Sequence, residues 1–195
     1  MIITLGFGDI ILCGYGGNMK ILIRAIFLIY SFVIWSEIMG FELKSKSFKN
    51  NQSIDKKFSC EGENISPDLG WNNPPQGTKS FALIVDDPDA PRKDPWVHWI
   101  IFNIPKDVMI LNENVSNELD RYSELKTAIQ GTNDFHKITY GGPCPPAGKP
   151  HRYFFKLYAL DTMLSLKFAT KEQLLKAMNG HILATSELVG LYEIH

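Results

Sequence analysis

Asp87-Pro88-Asp89-Ala90-Pro91 leads into Trp96-Val97-His98-Trp99, and Gly142-Pro143-Cys144-Pro145-Pro146-Ala147-Gly148-Lys149-Pro150 leads into His151-Arg152-Tyr153. Each proline fixes φ at about −65° and withholds a backbone donor, so both segments are stiff, as a preformed site beside titratable side chains requires. An imidazole can donate from one ring nitrogen and accept at the other, a phenol can do both, and a carboxylate can take an imidazole proton and fix its tautomer. Two imidazoles and a phenol turned towards one another therefore suit a small anion such as phosphate, sulfate or carboxylate. A bare aspartate facing that anion would repel it. The role left to Asp87 is to orient a histidine, with the second proline segment as the rim. Taken singly, each histidine reads first as an ordinary packed residue and Asp-Pro-Asp as an ordinary turn; it is their combination that points to a site.

Strand periodicity decides which of these side chains can meet. In the strand that opens at His151, residues His151, Tyr153, Phe155 and Leu157 share one face, and Arg152, Phe154, Lys156 and Tyr158 share the other. Strict alternation in the earlier strand places Trp96, His98, Ile100 and Phe102 on one face, with His98 at the mouth of an apolar wall. If the two faces coincide, both imidazoles and the phenol line one cavity.

The surrounding pattern is that of a mainly β domain. Phe81–Val85 and Val97–Phe102 read as strands buried on both faces, and His151–Leu160 as a third. Gly62–Gly77 is rich in Gly, Asn, Pro and Ser and reads as loop, with Trp71 as a core anchor. Leu119, Tyr122 and Ile129 are spaced to line a helix within Asn112–Gln130. Thr170-Lys171-Glu172-Gln173 fits a capping box, Leu174, Leu175 and Met178 supply an apolar stripe, and Gly180 a stop. The segment His181–Ile194 returns to a strand pattern.

Composition narrows the functional classes. The chain has 195 residues, is 45% hydrophobic and 12% aromatic, and carries a net charge of −1. That is enough for one proper core, and no basic field exists to recruit nucleic acid. Residues 1–40 differ from the rest. Met19-Lys20-Ile21-Leu22-Ile23-Arg24 followed by the uncharged run Ala25–Trp35 has the layout of a secretory signal beginning at Met19, with Ser36 and Gly40 as candidate cleavage positions. Spanning a bilayer takes about twenty apolar residues, so an anchor would need Ile21–Ile34 to insert with Arg24 snorkelling. The expectation is a leader over 1–40, one domain over 41–195 and no stable membrane span after processing. Cys13 falls in the leader, which leaves Cys60 and Cys144. Oxidised, they would close a long loop worth roughly 4 kcal/mol on the chain-entropy estimate; the alternative is two buried free thiols.

The D-P-D-A-P run, the W-V-H-W strand, the G-P-x-P-P-x-G loop and H-R-Y-F-F-K-L-Y-A-L together resemble the phosphatidylethanolamine-binding protein family, its bacterial, Raf kinase inhibitor-like branch in particular. The resemblance extends to Phe58-Ser59-Cys60-Glu61-Gly62-Glu63-Asn64-Ile65-Ser66-Pro67 and to the segment Gly180–Gly190, and covers the chain from about Phe41 onwards in matching order. It implies a large antiparallel sheet packed with a smaller sheet and a few peripheral helices, one near the C-terminus. It also implies a pocket for phosphate-like head groups, with Asp87, His98, Pro145, Pro146, His151 and Tyr153 as its ligand-binding residues. Cys60 and Cys144 match a pair found in exported bacterial members, which implies a disulfide. Tyr192 is a further candidate contact.

These readings converge on a non-enzymatic, periplasmic or secreted protein that binds a small anionic or phosphorylated ligand, with no cofactor and no metal, and that could modulate a protein partner. No G-x-S-x-G elbow occurs, and a disulfide would remove Cys144 as a nucleophile. One alternative is a metal- or acid–base-dependent hydrolase using His98, His151 and Asp87, although no H-E-x-x-H spacing is present. Another is a kinase or protease inhibitor acting through a protein interface. If an imidazole must be cationic to hold the anion, affinity should strengthen as the pH falls through about 6.5.

Overall fold

A computed structural model describes residues 40–194, which belong to the unit Met39–His195. The leader expected over residues 1–40, its start at Met19 included, lies outside the described residues apart from Gly40. Nine strands are described: β1 (Glu42–Lys44), β2 (Gln52–Ser53), β3 (Leu69–Asn72), β4 (Ser80–Asp87), β5 (Trp96–Pro105), β6 (Ile110–Leu111), β7 (Ile129–Gln130), β8 (His151–Leu160) and β9 (Ile182–Tyr192). Among the described residues there is one α-helix, α1 (Lys171–Met178), which precedes β9. The larger sheet runs β2-β9-β8-β4-β5-β7 and the smaller β1-β3-β6. This is the mainly β, two-sheet architecture expected. All pairings are antiparallel except β2 with β9, which is parallel.

β4 lies at the heart of the large sheet, paired with β5 on one side and β8 on the other, and every one of its residues is buried. A strand covered on both faces has to be apolar along its length, which is why Phe81–Val85 does not alternate with polar residues. Phe81, Leu83 and Val85 face the small sheet together with Tyr153, Phe155 and Leu157, and Trp71 of β3 packs edge-on against Phe81 at 5.2 Å. Trp71 is thus the anchor expected, although its segment forms a strand where loop was read. Ala82 and Ile84 face the opposite way, into a second core closed by Leu164 and by Leu174 and Met178 of α1.

Two irregularities in β5 correct the alternation read from sequence. Asp86 pairs with Val97 and Val85 with Trp99, so His98 is an extra residue opposite β4. Such a bulge turns two consecutive side chains to one face. His98 and Trp99 accordingly both face the small sheet, while Ile100 and Phe102 belong to the other core. A second shift follows before Ile104, where Asn103 takes φ 56° and its amide bonds the Leu164 backbone in both directions, at 2.9 and 2.8 Å. Asn tolerates that left-handed backbone better than other non-glycine residues. Strict alternation would have put His98 with Ile100, facing α1.

The remaining differences are local. The Thr170 capping box with Gln173 forms, Gly180 follows the helix at φ 82°, and Leu174 and Met178 are buried, but Leu175 of the expected stripe is exposed. Within Asn112–Gln130 the helix expected from Leu119, Tyr122 and Ile129 is replaced by two short 3-10 turns, Leu119–Arg121 and Ser123–Leu125, and by β7. Each turn is a single i to i+3 step, which reproduces helical spacing without a helix.

Candidate functional site

The ends of β4, β5 and β8 bring the first-named side chains together. Asp87, the last residue of β4, is buried, and its Oδ2 accepts the Nδ1–H of His151, the first residue of β8, at 2.8 Å. Its Oδ1 accepts the Asp89 backbone N–H at 2.8 Å, the side-chain-to-backbone turn that Asp-x-Asp favours. Both oxygens are therefore committed to orientation. Asp89 grips the next residue along: it accepts from Arg152 Nε at 2.8 Å, from a guanidinium NH2 at 2.7 Å and from the Arg152 backbone N–H at 3.0 Å. Hydrogen bonding to Arg152 holds the Asp89 carboxyl down to about 2, against the opposing effect of burial. The Asp-Pro-Asp turn thus clamps His151 and Arg152 with successive carboxylates. Sequence reasoning missed Arg152 because it lies on the opposite strand face from His151. The one signal was the second aspartate of the turn, which strand periodicity left without a task.

His98 is buried, and its Nδ1 lies 2.6 Å from the Gly141 carbonyl, whose own N–H donates back to the His98 carbonyl at 3.0 Å. A carbonyl only accepts, so Nδ1 carries the proton. Burial pushes the His98 pKa below its ordinary value, more than Gly141 and the Asp87 charge restore. The ring is neutral, with Nε2 as an acceptor. It meets the Tyr153 ring edge-on at 5.1 Å and the Phe135 ring at 5.4 Å. Phe135 also packs on Trp96, and Arg92 lies over the other ring system of that wall, 5.3 Å from Trp96, while pairing with Asp134 at 3.1 Å.

Tyr153 is buried, and burial, reinforced by the Asp87 charge, pushes its hydroxyl above the ordinary phenol range. The Cys144 backbone amide lies near enough to act on that oxygen, yet the Tyr153 hydroxyl and the Trp96 indole N–H are both buried without a hydrogen-bond partner among the described residues. Buried donors of this kind are what a ligand or an ordered water satisfies, at a cost of about 1–3 kcal/mol each when nothing does.

The proline loop closes this corner. Pro145 is buried and Pro146 exposed. Behind it, Tyr140 donates to the Phe58 carbonyl at 3.1 Å, Gly142 N–H to Asn64 Oδ1 at 2.7 Å and Cys60 N–H to the Pro143 carbonyl at 3.0 Å. A Cβ at Gly142 would lie 2.2 Å from the Phe58 carbonyl oxygen, so only glycine permits this approach. Cys60 and Cys144 are joined by a disulfide. Tyr192 pairs with His151 across β8 and β9, but its hydroxyl donates to Glu61 at 2.6 Å and lies 2.7 Å from Ser59 Oγ, so it is engaged away from the histidines. Beside it a cleft of about 230 Å³, lined by Ile54, Lys56, Glu61, Pro150 and Tyr192, adjoins the site without including His98, Asp87 or His151. Among the described residues no three His, Cys, Asp or Glu side chains are grouped to hold a metal ion, and no helix is long and apolar enough to cross a membrane.

Fold and site together define a two-sheet β protein with a histidine-lined corner under a proline loop, and comparison with known proteins identifies the group. A family model described as phosphatidylethanolamine-binding protein matches residues 44–193, and the chain belongs to that family. Among curated relatives, a UPF0098 protein of Methanothermobacter thermautotrophicus is 51% identical, over 77% of this chain and 97% of its own. One from Aquifex aeolicus is 44% identical, over 78% and 88%. Among solved structures, a phosphatidylethanolamine-binding protein homologue of Chlamydia trachomatis superposes with a TM-score of 0.72 at 44% identity, covering 80% of this chain and 99% of that one. YbcL of E. coli, described as a new member of the mammalian family, gives 0.74 at 37% identity, with the same coverage.

Proposed function

We propose that this protein is a non-enzymatic, exported binding module whose pocket takes a small anionic or phosphorylated group, and that Asp87, His98, Pro145, Pro146, His151 and Tyr153 form that pocket. The observation that carries the reading is the buried Asp87–His151 pair meeting His98 and Tyr153 under the proline loop. Asp87 compensates the charge of a protonated His151, whose second ring nitrogen then becomes a donor to an anion. The partnerless Tyr153 hydroxyl and Trp96 N–H supply neutral donors beside it. The disulfide supports an oxidising compartment, periplasmic or extracellular. Hydrolysis is the weaker reading, because the His98 Nδ1 proton is committed to Gly141 and both Asp87 oxygens already accept hydrogen bonds.

Titration calorimetry with inorganic phosphate and with a simple phosphomonoester tests the proposal. His151→Ala and Tyr153→Phe should each weaken binding, the former by about tenfold or more, since a charge-assisted bond is lost. Absence of any binding by the unaltered protein at millimolar ligand, or variants that bind as well as it does, would sink the reading. Turnover of the phosphomonoester that depends on His151 would replace it with the hydrolase.

A further inference from the structure

We propose that the Cys60–Cys144 disulfide is a redox latch on the pocket wall: a dithiol opens it, and residues 144–150 then release the site while both sheets stay folded. The two ends of the bond are held very differently. On the Cys60 side the chain is fixed by its own bonds, with Ser59 Oγ on the Lys56 carbonyl at 2.8 Å, Gly62 N–H on Ser59 at 3.1 Å and Asn64 N–H on Lys57 at 3.0 Å. On the Cys144 side four prolines remove donors between 143 and 150, and no hydrogen bond ties the backbone of residues 145–150 to the rest of the described protein. From the Pro143 carbonyl to the start of β8, the disulfide and the packing of Pro145 are what hold the loop.

Both cysteine residues are exposed, and an exposed disulfide is open to thiol exchange. A thiolate of the dithiol attacks one sulfur and breaks the S–S bond, forming a mixed disulfide. The second thiol of the reductant then displaces the cysteine. Two electrons and two protons pass to Cys60 and Cys144, and the reductant leaves as its cyclic disulfide. The pocket feels the release directly. Three residues upstream of Cys144 the Gly141 carbonyl holds the His98 ring at 2.6 Å. The sheet ladders include none of residues 144–150, so strand pairing does not depend on the latch.

The consequence for ligand rests on the anion-pocket reading, whereas the latch itself does not, and two readouts keep them apart. Amide exchange is followed at position 60 and at Gly142, the donors to Pro143 and Asn64, and along β4 and β8, in the oxidised protein, after dithiothreitol, and in a Cys60→Ser, Cys144→Ser variant. Inorganic phosphate affinity is measured in parallel. Reduction should speed exchange at 60 and Gly142 by about tenfold or more while β4 and β8 keep their protection as folded strands. Phosphate affinity should fall about tenfold as the loop spends less time in the binding arrangement, and the variant should match the reduced protein and ignore dithiothreitol. Unchanged exchange at 60 and Gly142 would overturn the latch, as would loss of protection along β4 and β8, which would mean that the sheets do not stay folded without the bond. Loosening without loss of phosphate would overturn the link to the pocket. Loosening in a protein that binds no phosphate even when oxidised would uphold the latch and remove the anion reading.

Discussion

At the scale of single residues, the two histidines do different work because their Nδ1 protons go to different acceptors. His98 gives its proton to a neutral carbonyl in a buried setting, whereas His151 gives its proton to a carboxylate that can balance a positive ring. Anion binding should therefore depend more on His151 than on His98, with the larger loss of affinity in His151→Gln; calorimetry reads this. His98 leaves its mark on stability. Its folded-state pKa lies below the ordinary value of about 6.5, so the folded protein binds fewer protons than the unfolded chain across that window. The part of the stability due to His98 is complete above about 6.5 and is lost as the pH falls below it, and denaturant titration should show a flatter profile in His98→Gln. Asp89, held down to about 2, acts lower on the scale. Its contribution is present above the unfolded carboxyl value of about 3.9 and disappears as the pH drops towards 2. Asp89→Asn should weaken the grip on Arg152 and remove that acid-sensitive step.

At the scale of elements, adjacent residues of β4 serve opposite faces of the sheet. Asp87 turns to the histidines, and Asp86 turns to the second core, where Lys156 Nζ at 2.8 Å and Lys171 meet its fully buried carboxylate. Lys171 is the first residue of α1, so this carboxylate pins the helix onto the sheet. Asp86→Ala removes the carboxylate that both lysines reach and should cost about 1–3 kcal/mol in chemical denaturation. Gly142→Ala should part the proline loop from Phe58–Asn64 and weaken phosphate binding, since its Cβ meets backbone rather than a movable side chain. Legibility from sequence followed the range of each signal. The helix cap at Thr170–Gln173 and the buried run Phe81–Val85 were readable because each is set by neighbours in the chain. The His98 bulge was not, because it is defined by which β4 residue stands opposite, and no residue type at 97–99 marks it. Its effect was to deliver His98 to the face of Tyr153 after all, so the constellation was anticipated while the face assignment of Ile100 and Phe102 was wrong. The Asp87–His151 pair was foreseeable as carboxylate beside imidazole. The Asp89–Arg152 clamp was not, since it forms beyond the end of β4 rather than across a face of the sheet.

At the scale of the whole molecule, the site draws on residues from 87 to 153, and the disulfide ties positions 84 residues apart. Replacing both cysteines by serine should lower stability by about 4 kcal/mol on the chain-entropy estimate, measured in denaturant against the oxidised protein. The central position of β4 carries a further consequence, for the order in which the protein can acquire its activity. β4 and β5 are neighbours in sequence and can pair as a hairpin as soon as both exist, which presents Asp87 and His98 early. β8 reaches β4 only after the intervening chain has closed, a slow, non-local step. Until then Asp87 lacks its imidazole and Tyr153 is absent from the corner. A ligand for this pocket cannot assist the early search. It can only trap chains that have completed the last strand docking, so it should slow unfolding while leaving the refolding rate in stopped-flow measurements unchanged.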